Sequence, residues 1–215
     1  MWKRNITTTL WPVLAVLLSV LATPLDAREL RLLAFGDSLT AGYGLAESEG
    51  FTVRLETALR ARDHQVTVIN AGRSGDTSTG GRTRLDWWLE EAPDAVLLEL
   101  GANDGLRGID PALTHENLDW ILNRLDAAGL PVLLAGMEAP ANYGPEYADE
   151  FRSVFARLAE RHDVVWYPFF LEGIATRPEL NQRDGIHPNP RGVDELVRRI
   201  LPFVEELLAR VPAPR

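Results

Sequence analysis

Cysteine is absent from the 215-residue sequence. Disulfide bonds, thiolate metal sites, iron–sulfur clusters and cysteine nucleophiles are therefore excluded. Histidine is scarce, with four residues, so a histidine base has few candidates. Hydrophobic residues make up 46% and charged residues 25% of the chain, which are ordinary values for a globular domain and exclude a disordered or fibrous protein.

Positive charge is in the minority. The 22 Lys and Arg residues are outnumbered by 31 Asp and Glu residues, which gives a net charge of -9 at pH 7. No dense stretch of Lys and Arg opposes this balance. Because an acidic surface repels the phosphate backbone, we expect no nucleic-acid partner.

One long apolar run stands near the N-terminus. Lys3 and Arg4 precede an uncharged segment at 10–22, and Ala27 supplies the small residue that a signal peptidase needs. The run is shorter than the roughly 20 residues of a membrane-spanning helix. We therefore expect residues 1–27 to be a cleaved signal peptide and residues 28–215 to be one periplasmic or secreted domain without a membrane span. An uncleaved N-terminal anchor is the alternative.

The rest of the sequence alternates strand-like and helix-like segments. Short apolar runs predict five strands, at 30–35, 65–70, 94–100, 131–136 and 164–167. Amphipathic spacing predicts helices at 51–62, from after 81 to about 90, at 114–128, 147–161 and 192–210. Thr114 is the predicted cap of the third helix, and Pro202 is predicted to bend or break the last. This alternation predicts an α/β fold, a three-layer α/β/α sandwich around a parallel sheet.

Polar residues follow the first three predicted strands, where function resides in such folds. Ser38, after Gly-Asp, can expose its hydroxyl at the rim of the sheet. The loop at 71–81 offers backbone N–H groups that can face an anion. Asn103 carries an amide that can donate to an oxyanion. Taken alone, the Ser38 segment and the loop at 71–81 are more typical of an ordinary turn, and Asn103 also suits a turn.

Asp184 and His187 lie three residues apart in a turn bounded by Gly and Pro. The carboxylate can hold Nδ1–H and leave Nε2 to take a proton from a serine. A surface turn and half a metal site are the alternatives, although no second histidine stands at ligand spacing. The other histidines, His64, His115 and His162, occupy positions predicted to be solvated, which leaves His187 as the candidate base.

Four segments occur in the order of the GDSL/SGNH hydrolase blocks. They are Phe-Gly-Asp-Ser-Leu at 35–39, Asn-Ala-Gly-Arg-Ser-Gly-Asp-Thr at 70–77, Gly-Ala-Asn-Asp at 101–104 and Asp-Gly-Ile-His-Pro at 184–188. The chain therefore resembles that family, and especially its bacterial branch of arylesterases and multifunctional thioesterase I/lysophospholipases. Ala102 departs from the glycine that this branch often has, but it removes no functional group.

The resemblance implies the strand order 2-1-3-4-5 and specific roles. Ser38 matches the nucleophile, and Asp184 and His187 match the acid and base of its triad. The N–H groups of Ser38 and Gly75 and the amide of Asn103 match the oxyanion hole. The implied activity is that of a serine esterase on aryl or acyl esters, and possible further substrates are acyl thioesters and lysophospholipids.

The implied chemistry needs no metal or organic cofactor. A carbohydrate O-deacetylase with the same triad and a non-enzymatic flavodoxin-like binding protein are the alternatives. The sequence leaves the oligomeric state open.

Segments 104–109 and 139–145 are expected to flank the substrate pocket. Apolar contacts are expected from Leu106, Ile109, Met137 and Tyr143, with Met137 equally suited to the core. Three tryptophans are expected in the core: Trp87, Trp88 and Trp120.

Overall fold

The computed structural model describes residues 28–212, so the predicted signal peptide at 1–27 lies outside the described residues. Five parallel strands form one sheet in the order β2-β1-β3-β4-β5. The strands are β1 (Leu30–Gly36), β2 (Val66–Gly72), β3 (Ala95–Glu99), β4 (Val132–Ala135) and β5 (Val165–Tyr167). This architecture confirms the predicted parallel sheet and its strand order.

Helices cover both faces of the sheet. α2 and α7 pack together on one face, whereas α5 packs between α3 and α6 on the other. The α-helices are α1 (Ser38–Ala41), α2 (Phe51–Arg60), α3 (Ser78–Leu89), α4 (Ala102–Leu106), α5 (Pro111–Ala127), α6 (Pro145–Arg161) and α7 (Pro190–Ala209). Short 3-10 turns lie at Glu47–Glu49, Ala141–Tyr143 and Pro178–Leu180. Strands β3 and β4 are buried along their whole length because helices lie on both sides of them.

Four of the five predicted helices, α3, α5, α6 and α7, begin two or more residues earlier than the sequence predicts. α3 starts at Ser78, inside the stretch predicted as a loop, because the Thr77 hydroxyl caps its first turn. α5 starts at Pro111, because Asp110 is its cap and proline suits the first helical position. Thr114 is therefore no cap, and its buried hydroxyl donates to a carboxylate of α4 instead.

Proline does not break the last helix. α7 runs continuously through Pro202, and Pro202 is exposed on the outer side of the helix. Proline has no N–H, so one carbonyl in the preceding turn lacks its helical hydrogen bond, and water can supply a donor on this exposed side. One tryptophan also departs from expectation, since Trp87 is 62% exposed and lies outside the core. Trp88 and Trp120 pack partly buried against the core. Between residues 28 and 212, every helix is too short or too polar to cross a membrane.

Candidate active site

Ser38 is the first residue of α1 and follows strand β1, with only Asp37 between them. Asp37 caps this short helix, and its Oδ1 accepts a hydrogen bond from the N–H of Leu39 at 3.0 Å. The helix ends at Gly42 in the left-handed conformation. The hydroxyl of Ser38 is thus held at the carboxyl end of β1. The backbone N–H of Ser38 lies in the first turn of α1, where N–H groups have no hydrogen-bond acceptor within the helix.

His187 and Asp184 lie on the loop between β5 and α7. His187 Nε2 is 2.9 Å from Ser38 Oγ, and His187 Nδ1 is 2.7 Å from Asp184 Oδ2. Asp184 Oδ1 also accepts hydrogen bonds from the N–H groups of Ile186 and His187, at 2.9 and 3.0 Å. A histidine near the C-terminus thus reaches the serine after the first strand, and the three side chains form a continuous chain of contacts.

The Asp184 carboxyl is strongly acidic. Partial burial acts to raise its pKa, but the hydrogen bonds from Ile186 N–H and from the ring and N–H of His187 outweigh burial and lower the pKa to about 2. The group is therefore an anion at neutral pH. Such an anion next to Nδ1 favours the tautomer that leaves Nε2 free to accept a proton, and it stabilises a positively charged imidazole.

Gly75 lies on the loop that follows β2 and lines the same cleft as Ser38. Its φ of +79° is a conformation that glycine adopts without steric cost. The Gly75 carbonyl accepts a hydrogen bond from Arg107 Nη2 at 2.8 Å. This bond fixes the orientation of the peptide at the edge of the cleft.

Asn103 stands on α4, just after β3, and also lines the cleft. Its Nδ2 donates to Asp37 Oδ2 at 3.0 Å. An amide nitrogen carries two hydrogens, so the second N–H is left for a ligand. Asp37 thus connects the helix that carries Ser38 to the side chain of Asn103.

Asp37 is fully buried beneath this arrangement. Burial raises the pKa of its carboxyl to about 6, and the opposing hydrogen bonds from Leu39 N–H and the Asn103 amide, with the charge of His187, are smaller effects. Sequence analysis gave this aspartate no role of its own in the site. Its place directly before Ser38 was the signal that could have marked it as a structural part of the site.

Glu99 is a second buried acid, at the end of β3. Its Oε2 accepts hydrogen bonds from Asp37 N–H at 3.2 Å and from Thr40 Oγ1 at 2.7 Å. Burial, together with the nearby charge of Asp37, raises the pKa of Glu99 well above its usual range. Sequence analysis did not single it out, although one carboxyl within an apolar strand was a usable signal.

Arg84 on α3 is another residue that sequence reasoning missed. Its guanidinium donates to carbonyls at the ends of β1 and β2, at 2.8 Å each, and to Asp76 Oδ2 at 2.6 Å. It therefore ties the turn that carries Ser38 to the loop that carries Gly75. Arg84 lies inside the predicted helix, but its segment does not indicate that the side chain reaches the ends of two strands.

A cleft of about 490 Å³ opens beside Ser38 and His187. Apolar side chains dominate its lining, and the expected flanking segments contribute Leu106, Ala139, Pro140 and Ala141. Met137 both lines the cleft and is 2% exposed, so it belongs to the site and the core.

Two of the four apolar residues expected at the cleft are not among its lining residues. Ile109 is one of them, and its carbonyl accepts a hydrogen bond from the Tyr147 hydroxyl at 2.8 Å. Tyr143 is the other: its ring packs against Tyr147 and its hydroxyl donates to the Leu106 carbonyl at 3.1 Å. Tyr143 therefore supports a cleft residue from outside.

The other histidines lie away from the cleft, and all three are partly buried rather than fully solvated as predicted. His162 Nε2 is 2.8 Å from Asp119 Oδ1, and His64 Nε2 is 3.2 Å from Glu205 Oε1. Across residues 28–212, no group of three or more His, Asp or Glu side chains has the arrangement of a metal site.

Residues 34–194 match the model of the GDSL-like lipase/acylhydrolase family. The chain belongs to this family. Esterase TesA of Pseudomonas aeruginosa is 41% identical over 178 residues, which cover 82% of this chain and 89% of that protein. Thioesterase 1/protease 1/lysophospholipase L1 of Escherichia coli strain K12 is 39% identical over 184 residues, which cover 85% of this chain and 83% of that protein.

Solved structures of GDSL-like lipase/acylhydrolase relatives have the same fold. The crystal structure of AlinE4, an SGNH-hydrolase family esterase, is 44% identical, has a TM-score of 0.71, and covers 86% of this chain and 98% of that one. The predicted family, its fold and an ester-hydrolysing activity are therefore confirmed.

Proposed function

We propose that this serine ester hydrolase uses Ser38 as nucleophile, His187 as general base and acid, and Asp184 as the group that orients His187. The observation that carries this assignment is the unbroken chain of contacts from Asp184 to His187 to Ser38, at 2.7 and 2.9 Å. The serine end of that chain opens onto an apolar cleft, where an ester carbonyl can be placed beside Oγ.

In the first half-reaction, Ser38 Oγ bonds to the ester carbonyl carbon while His187 Nε2 takes the hydroxyl proton. The carbonyl oxygen becomes an anion that accepts hydrogen bonds from the N–H groups of Ser38 and Gly75 and from the free N–H of Asn103. His187 then donates its proton to the leaving oxygen or sulfur as that bond breaks. An acyl ester remains on Ser38.

In the second half-reaction, water replaces the alcohol. His187 takes a proton from the water as its oxygen bonds to the acyl carbon, and the same three donors stabilise the second oxyanion. Collapse of this intermediate breaks the bond to Ser38 and returns the proton to Oγ. The products are a carboxylic acid and the free enzyme.

The lining of the cleft favours acyl or aryl groups as the bound part of the substrate. Each methylene moved from water into an apolar site contributes roughly 0.8 kcal/mol, so longer chains gain affinity until the cleft is filled. No observation favours the carbohydrate O-deacetylase or the binding protein. Acyl thioesters and lysophospholipids are further proposed substrates, in line with the name of the E. coli relative, thioesterase 1/protease 1/lysophospholipase L1.

The proposed location is the periplasm or the cell exterior. It depends on the Lys3-Arg4 start, the apolar segment at 10–22 and Ala27, which all lie outside the described residues. Cell fractionation with N-terminal sequencing of the mature protein tests it. A mature N-terminus at residue 28 is expected, and recovery of the full-length chain in the membrane fraction would favour the anchor.

Labelling with a fluorophosphonate tests the nucleophile. The probe is expected to modify Ser38 in the folded wild type, as located by peptide mapping, and to leave Ser38→Ala unlabelled. Ser74→Ala is the matched control, because Ser74 lines the same cleft and its loss should leave labelling intact. Labelling of Ser38→Ala at the wild-type rate would overturn the assignment.

A further inference from the structure

The loop that carries the acid and base is mostly exposed. Asp184 and Ile186 are among its exposed residues, and all hydrogen bonds to the Asp184 carboxylate come from within the loop. Asp184 therefore aligns the imidazole relative to the loop, but it does not fix the loop relative to Ser38. A distance of 2.9 Å between His187 Nε2 and Ser38 Oγ requires a separate attachment.

Gln182 provides that attachment. Its Nε2 donates to the Tyr43 carbonyl at 2.7 Å and to the Pro188 carbonyl at 3.0 Å, and its backbone N–H donates to the His187 carbonyl at 2.7 Å. One residue thus binds both the far end of the loop and the turn that follows α1, although Tyr43 lies 139 residues away in sequence.

The turn is shaped to receive this side chain. Gly44 has a φ of +76°, and a methyl group on its Cα would overlap Gln182 Oε1. Only glycine therefore leaves room for the amide beside the Tyr43 carbonyl. The fit indicates a specific contact rather than a chance approach of two surface segments.

The contact with Tyr43 also bears on the imidazole itself. The Tyr43 ring lies beside the His187 ring, with centroids 4.7 Å apart and planes tilted by 40°. Holding the Tyr43 carbonyl therefore also holds the ring that packs against the base. Within the described part of the chain, the only side-chain hydrogen bonds between residues 182–187 and residues 38–45 are Gln182 to Tyr43 and His187 to Ser38.

We propose that Gln182 is a positioning residue, which fixes the loop against Tyr43 and so keeps His187 Nε2 within hydrogen-bond reach of Ser38 Oγ. The inference rests on the proposed function, because it takes His187 to be the base that acts on Ser38. Displacement of a reacting group by about 1 Å can slow an enzyme by about 10²-fold, so the attachment matters for rate.

Replacement of Gln182 by Met tests the proposal, because Met keeps the length of the side chain but has no N–H donor. The kcat for a p-nitrophenyl ester is expected to fall roughly 10- to 100-fold, with KM changed less than about twofold. Arg183→Ala is the matched control, since this exposed neighbour makes no side-chain hydrogen bond among the described residues, and its kcat should stay at the wild-type value. An unchanged kcat in Gln182→Met would overturn the inference.

The His187→Ala background separates positioning of the base from a general structural role. Because this background has no imidazole to position, Gln182→Met should cause no further loss of the residual rate. A reactive aryl ester and a high enzyme concentration make that residual rate measurable. An equal loss in both backgrounds would show that Gln182 acts on something other than His187. Full activity of His187→Ala itself would instead overturn the proposed function.

Discussion

The two halves of the candidate site are built in different ways. Ser38 and Asn103 stand on a buried foundation, in which Asp37 and Glu99 lie fully inside the protein beneath the ends of β1 and β3. Asp184 and His187 instead lie on a surface loop that makes most of its hydrogen bonds to itself. The nucleophile is thus placed by the core, and the base is placed by a few polar contacts at the surface.

This difference predicts how each half responds to change. Substitutions in the buried half alter activity and the free energy of unfolding together, because buried polar groups that lose a partner are costly. Substitutions in the loop alter activity with little effect on folding, because an exposed group that loses a partner can bond to water. Measuring kcat and stability on the same variants shows whether the distinction holds.

The largest effect is expected in the loop. Asp184→Asn keeps an acceptor for the two backbone N–H groups but removes the charge that sets the tautomer of His187, so kcat should fall roughly 10⁴-fold. The free energy of unfolding at pH 7 should change by less than about 1 kcal/mol. Ester hydrolysis and urea denaturation check both values. Asp163→Asn, an exposed change elsewhere, is the control, and a strongly destabilised Asp184→Asn would contradict the comparison.

An intermediate effect is expected in the buried half. Asn103→Ala removes one oxyanion donor, so kcat should fall roughly 10²- to 10³-fold. It also leaves the buried Asp37 carboxyl with one donor fewer, which should cost about 1–3 kcal/mol of unfolding free energy. Steady-state kinetics and denaturation test the two together.

Asn117→Ala is the control for that experiment. Asn117 is also buried and donates to Ser78 and Thr79, at 3.1 and 2.9 Å, but it does not line the cleft. This variant should lose stability and keep kcat. Equal losses of kcat in both variants would mean that stability alone explains the effect of Asn103.

The smallest effect is expected in the pH dependence of stability. The pKa of Asp37 is raised from 3.8 to about 6, and that of Glu99 is also raised, so the folded protein holds protons that the unfolded chain releases. The free energy of unfolding should therefore decline as pH rises from about 4 to 6 and beyond. Glu99→Gln removes one of these two groups, so the decline should be shallower. Urea denaturation from pH 4 to 8 measures it, and an unchanged slope would contradict the prediction.

The sequence predicted the sheet well because its signals are local. Each strand is a short apolar run, and burial of β3 and β4 between two helical layers makes such runs continuous. The candidate residues could also be named from the sequence, because Ser38, Gly75 and Asn103 stand in recognisable segments just after strands. Asp184 and His187 stand together in one recognisable turn. Helix starts were less well predicted, since Thr77 and Asp110 are caps whose effect depends on local geometry.

The supporting residues could not be predicted in the same way. Arg84 bonds to carbonyls of two strands, and Gln182 bonds to a residue 139 positions earlier. Such contacts join segments that only the folded chain brings together, and neither residue type stands out in its own segment. The exposure of Trp87 was missed for a related reason. Amphipathic spacing shows that a helix has an apolar and a polar face, but it does not show how much of the apolar face the neighbouring elements cover.

The local bonding of Asp184 has one more consequence. Because the carboxylate, the imidazole and the two backbone N–H groups are joined within four consecutive residues, the acid–base pair is a self-contained unit. Such a unit can lift away from the serine and dock again with its internal alignment intact. Loss of catalysis in mild urea would then precede global unfolding and reverse on dilution, without the chain having to refold.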